Sequence, residues 1–151
     1  MSLTAGQIPR YANVPNGGVG VIAASSNTVS LGSNTNAATI YTAGSQGGRV
    51  YSLTGVTDDT VTVNVFIFIY RGSTVIPLGL VNVPLSSGNT FAAKANVNFL
   101  DGLNITGLPL DNQGNRYIPL MPNDVLKCGS LANLTAAKTC WVQAQGSDYQ
   151  S

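Results

Sequence analysis

Residues 60–70 read TVTVNVFIFIY, and this run decides the fold. Its odd positions, Val61, Val63, Val65, Ile67 and Ile69, are all β-branched, whereas the even positions pass from Thr60, Thr62 and Asn64 to Phe66, Phe68 and Tyr70. Alternation with a period of two marks a β-strand, whose successive side chains point to opposite faces. One face is therefore predicted to be buried throughout, and the other to pass from water into apolar surroundings halfway along. Such a strand belongs at the centre of a sandwich, or beneath a neighbour that covers its outer face.

Reading outward from this strand, Thr57-Asp58-Asp59-Thr60 carries short polar side chains that hydrogen-bond to nearby backbone and favour a turn. On the other side Arg71-Gly72-Ser73 turns the chain into residues 74–83, which predicts a hairpin. Pro77 cannot donate to a ladder, so that second strand is expected at an edge or with a bulge. Further strands are predicted at 19–24, 28–31, 39–42, 49–54, 90–93, 97–100, 117–120, 125–128 and 139–144. The glycine-rich tip 43–48 suggests a hairpin of 39–42 with 49–54, and 125–128 is expected to pair with 139–144. Residues 135–138 are the only candidate helical turn.

Composition points the same way. Glu is absent, removing the best helix-forming acid, while 13 Ser, 14 Thr, 15 Asn, 17 Gly and 7 Pro mark many short strands joined by turns. A length of 151 residues suits one domain, at about 100 to 200 residues each. The expected fold is all-β: a jelly-roll-like antiparallel β-sandwich over residues 20–151, preceded by an extended N-terminal arm over residues 1–19. Pro9 and Pro15 disfavour helix in that arm, and Asn16-Gly17-Gly18 reads as a turn or hinge. Ile8, Pro9, Arg10, Tyr11 and Val14 are its candidate partner-binding residues; its apolar groups either dock on a neighbouring subunit or fold back on their own domain.

Only 9% of residues are charged and the net charge is +1. Seven scattered basic residues give no patch for a phosphate backbone, so no nucleic-acid partner is expected. The longest apolar run, residues 65–70, falls far short of the roughly 20 residues that span a bilayer, and neither a membrane partner nor a secretion signal is expected. A lone domain normally keeps about a quarter of its residues charged. A neutral surface poor in Lys and lacking Glu suits either contact with other subunits or a free monomer with a neutral, well-hydrated exterior.

The sequence points to no enzyme, cofactor or metal. There is no histidine to serve a nucleophile or complete a zinc site. The adjacent carboxylates Asp58 and Asp59 lie in a turn, where capping explains them. Asp101, Asp111 and Asp124 are too scattered for a calcium site, and Gly17-Gly18-Val19-Gly20 lacks the ending of a phosphate loop. Asn104-Ile105-Thr106 and Asn133-Leu134-Thr135 match the glycosylation sequon. Cys128 and Cys140, on facing arms of the predicted last hairpin, either form a disulfide or remain as reduced, partly buried thiols. The six tyrosines and Trp141 include candidates for interface or sugar-stacking positions, beside the commoner role of packing.

Residues 36–88, NAATIYTAGSQGGRVYSLTGVTDDTVTVNVFIFIYRGSTVIPLGLVNVPLSSG, combine a TAG-x-x-G-x-R/V hairpin, a D-D-T turn into a V-x-V-x-I-type strand, a G-S-T hairpin and a closing V-x-V-P-x-x-x-G. Leu108-Pro109-Leu110-Asp111, Gly114-Asn115 and Tyr117 extend the pattern. It resembles small β-rich virion proteins of tailed bacteriophages and prophages, in particular capsid decoration (cement) proteins. The resemblance covers most of residues 36–145 and not the arm. It implies a jelly-roll-like fold, location on the capsid surface after assembly in the host cytoplasm, and the major capsid protein as partner, with the chain also associating with itself as a trimer or dimer. No catalytic residue belongs to the pattern. The alternatives are a tail fibre or tail-tip module binding host glycans and, if Cys128 and Cys140 are oxidised, an exported bacterial adhesion domain.

Overall fold

The computed structural model describes residues 12–30, 32–88, 97–101 and 105–150. These residues form nine strands: β1 (Ala12–Ala23), β2 (Ala38–Thr42), β3 (Gly48–Thr57), β4 (Val63–Arg71), β5 (Thr74–Val83), β6 (Val97–Asn98), β7 (Ile118–Leu120), β8 (Val125–Ser130) and β9 (Thr139–Tyr149). One sheet has the order β1-β9-β3-β6, with β7 also pairing with β3, and the other the order β2-β8-β4-β5. Every ladder is antiparallel. The pairs are nested: β1 with β9, β2 with β8, β3 with β6 and β7, β4 with β5. This is one long hairpin, its bend at Gly72-Ser73, rolled into two packed sheets, and it makes the protein a jelly-roll β-sandwich.

The core lies between the sheets. From β4 it takes Val63, Val65, Ile67 and Ile69, and from the facing sheet Ile22, Val50, Leu53, Cys140, Val142 and Ala144. β4 is central, between β8 and β5, as its two-sided composition predicts. It begins at Val63 rather than Thr60, and Val61 is exposed. The reason is local: the Asp59 carboxylate accepts the Val61 N–H at 3.3 Å and holds residues 59–61 in the loop.

The outer face of β4 is covered by the chain itself. Phe66, Phe68 and Tyr70 stack at centroid distances of 5.3 and 5.7 Å, and Val29 and Ala37 from the β1–β2 connection close over them. The connection is held down by reciprocal backbone bonds, Val29 N–H to Ser130 C=O at 2.8 Å and Ser130 N–H to Asn27 C=O at 3.0 Å. A Cβ at Gly129 would lie 2.5 Å from both Val29 Cγ atoms, so only glycine lets this segment lie flat on β8.

The β4–β5 hairpin forms as the turn predicts. β5 is an edge strand, and the register shifts where Ile67 faces Gly79 but Phe68 faces Pro77, leaving Leu78 as the extra residue of a bulge. The other two expected hairpins do not form. β2 pairs with β8 and β3 with β9, so the tip between them crosses from one sheet to the other. Likewise β8 and β9 lie in opposite sheets. Turn composition permits either a hairpin or a crossing, and the long ladders available on β9 and β4 decide between them. Residues 135–138 form a turn with Ala137 at φ 62°, not a helix. Of the expected strand at 28–31, residues 28–30 make only two isolated bridges, Thr28 to Ser130 and Ser30 to Ser33, and that at 90–93 lies outside the described residues.

Residues 12–19, read from sequence as the end of the arm, are the first two thirds of β1 and pair with β9 from Gln143 to Tyr149. Asn16-Gly17-Gly18 is therefore strand, not hinge. Gly18 lets the edge strands of the two sheets touch: a Cβ there would lie 2.1 Å from the Ile40 carbonyl oxygen. Gly18→Ala is expected to lower stability by roughly 1–3 kcal/mol, the usual cost of overpacking, with an unchanged strand signature, as read by denaturant titration and far-UV circular dichroism.

Candidate functional site

Among the described residues, a cleft of about 480 Å³ lies at one end of the β1-β9-β3 sheet, lined by Arg49, Tyr51, Asp111, Asn115, Tyr117 and Ser147 together with Ala12. Arg49 and Tyr51 come from β3, where the register shifts between Val50 and Ser52 and so makes Tyr51 the inserted residue of a bulge. A bulge re-aims a side chain, and Tyr51 stands 54% exposed. Ser147 and Tyr149 come from the end of β9, and Tyr117 immediately precedes β7.

Arg49 is held flat among these rings. Its guanidinium carbon lies 4.8 Å from the centroid of Tyr117 and 5.7 Å from that of Tyr149, and its Nε–H donates to Tyr149 Oη at 2.7 Å. The Tyr149 hydrogen bond raises the guanidinium above its ordinary pKa, so the charge is permanent. Asp111 closes the opposite wall: its Oδ1 accepts the N–H groups of Gln113 at 2.9 Å and Asn115 at 2.8 Å. These bonds, Asn115 first, hold its carboxyl below the usual carboxylate range. A second hollow of about 620 Å³ shares Tyr51 and Asn115 and continues past Asn98, Leu100, Asp101 and Arg116.

The sequence singles out the tyrosines but not Arg49, Asp111 or Asn115 as partners. Arg49 and Tyr51 stand two apart on one strand, a legible sign of a shared face. Their meeting with Tyr117 and Tyr149 is made only by pairing β3 with both β7 and β9.

Of the arm residues, Ile8, Pro9, Arg10 and Tyr11 lie outside the described residues. Val14 is exposed on β1 opposite Asp148, beside the register shift that follows Ala12. Among the described residues no three His, Cys, Asp or Glu side chains gather as a metal site. Of the two sequons, Asn133 accepts the Thr28 hydroxyl at 2.5 Å and Asn104 lies outside the described residues.

The acidic doublet works as a pair of loop clamps. Asp58 Oδ1 accepts the Thr139 N–H at 2.7 Å. Asp59, fully buried, accepts the Thr135 N–H at 2.8 Å and the Thr135 hydroxyl at 2.6 Å. Asp124, also fully buried, takes a bidentate contact from Arg71, 3.0 Å from Nε and 2.7 Å from Nη2. Asp148 receives the Tyr41 hydroxyl and the Asn16 amide, both at 2.8 Å, which ties β1, β2 and β9 together. Burial and the Asp148 carboxylate push the Tyr41 phenol well above its usual range.

Cys128 and Cys140 are free thiols, both fully buried, on strands of opposite sheets rather than on one hairpin. Burial pushes the Cys128 thiol far up and that of Cys140 to about 12. No family model matches this chain, and neither a curated protein nor a solved structure matches it.

Both thiols are expected to resist an aromatic disulfide reagent at pH 8 in the native protein and to react stoichiometrically once it is unfolded, as followed by absorbance. For Asp59, burial raises the carboxyl, but hydrogen bonds from Thr135, Val61 and Thr60 outweigh it and leave the pKa lowered. A pKa depressed by folding adds stability that is complete above the unfolded value of about 3.9 and is lost as pH falls through the folded one. Asp59→Asn is expected to cost about 1–3 kcal/mol near pH 7 and to flatten the stability profile below pH ~4, as measured by denaturant midpoints across pH.

Proposed function

We propose that this protein is a structural component of a bacteriophage virion, a decoration or cement protein that packs on the major capsid shell and associates with itself as a trimer or dimer. The observation that carries this reading is the outer face of the β1-β9-β3 sheet. Val21, Trp141 and Val56 stand in one cross-strand row, and Val19, Gln143 and Thr54 in the next. Val19, Val21 and Trp141 are 50%, 45% and 37% exposed. No charged side chain interrupts these rows. A tryptophan set among valines and amides on a rigid sheet has the composition of an interface core, in which aromatic groups are enriched and charges depleted.

The internal use of the acids supports the same reading. Asp58, Asp59, Asp124 and Asp148 are engaged with neighbouring loops and strands, so the outside is even less charged than the composition indicates. Attachment would act by mass action: whatever binds only the assembled shell stabilises it, and contacts to several capsomers multiply weak individual affinities.

Trp141→Ser is expected to weaken cosedimentation with purified expanded heads by roughly tenfold or more, since loss of a central interface aromatic costs about 2 kcal/mol, while the thermal midpoint stays within a few degrees. Deleting residues 1–11 tests the arm without touching β1. Copy number by electron microscopy separates this reading from a tail module: hundreds on the head support decoration, and a few at the tail overturn it.

A further inference from the structure

We infer that the cleft at Arg49 and Tyr51 is a binding site for a neutral oligosaccharide, a function separate from attachment through the Trp141 face. Saccharide recognition needs an exposed aromatic face for the apolar C–H side of a pyranose, ringed by planar polar groups that bond to its hydroxyls. Tyr51 supplies the first requirement. It is 54% exposed, stands at a bulge and contributes nothing to the core. Arg49, Asp111 and Asn115 supply the second from the surrounding walls.

These polar groups are held in place before any ligand arrives. Arg49 is stacked on Tyr117 and tied to Tyr149, and Asp111 is fixed by two backbone N–H groups. Little side-chain freedom would be lost on binding, which is how a shallow site gains affinity. The volume, about 480 Å³, lies within the range of small-molecule sites. Continuity with the second hollow through Tyr51 and Asn115 gives room for more than one sugar unit.

Charge selects the class. Arg49 shares its hollow with Asp111, and Arg116 shares the other with Asp101, so each positive charge is matched by a carboxylate along the cleft. A phosphate chain or an acidic sugar would meet a carboxylate in each hollow, whereas hydroxyl groups can donate to the carboxylates and accept from the guanidinium groups.

The test presents the full-length protein to an array of gluco-, galacto- and manno-configured di- to tetrasaccharides and their uronic-acid counterparts, followed by calorimetric titration of the best neutral binder. Tyr51→Ala is expected to bind that saccharide at least tenfold more weakly with an unchanged thermal midpoint and unchanged attachment to phage heads. Trp141→Ser, on the same sheet but outside the cleft, is expected to bind it as the wild type does. The proposal is overturned if no neutral saccharide is retained, if only the uronic acids are, if Tyr51→Ala binds normally, or if Trp141→Ser loses binding equally.

Discussion

From Val65 to Ile69 β4 has no face left for water, and the rest of the molecule is arranged to satisfy that constraint. Its β-branched side fills the space between the sheets, and its aromatic side needs a second cover. The β1–β2 connection supplies the cover, and it can do so only because Gly129 leaves room for Val29 and because Ser130 of β8 exchanges backbone bonds with Asn27 and Val29 of the connection. A strand buried on both faces must also be hydrogen-bonded on both edges, since unpaired backbone groups are costly away from water. β5 and β8 provide those partners, and the nesting of the remaining pairs follows outward from them.

The consequence is a fold whose ends meet. β1 and β9, the first and last strands, form the longest ladder, and Asp148 near the end of the chain draws in Asn16 of β1 and Tyr41 of β2. Such contacts are non-local, so loop-closure entropy must be overcome before they contribute, which makes folding slow relative to a fold of local hairpins. The acids serve this closure. Asp59 joins the β3–β4 loop to the β8–β9 loop, and Asp124 joins the loop before β8 to the end of β4 through Arg71. Carboxylates used in this way are engaged within the fold and leave fewer charges on the surface.

The Trp141 face and the Arg49 cleft lie on one sheet and differ in chemistry. Around Trp141 the rows are apolar and amide-bearing; around Arg49 they are aromatic and charged in matched pairs. The division follows from the sheet: β9 and β3 pair along both regions, but the Asp111–Asn115 turn and Tyr117 approach only at the Arg49 end.

Much of this was legible in the residues themselves. The alternation from Val61 to Tyr70, the turn at Gly72-Ser73, the distortion at Pro77 and the scarcity of charge are local properties, because period, turn chemistry and a missing N–H act within a few residues. The sequence by itself thus determined an all-β chain with one strand buried on both sides. Only the tertiary structure decided that the tip 43–47 crosses between sheets, that Cys128 and Cys140 lie on opposite ones, that Phe66 and Phe68 are covered by the chain's own loop, and that Arg49 meets Tyr117 and Tyr149. Those outcomes depend on which distant strand offers the longer ladder and the greater apolar burial, and no short window of residues contains that comparison.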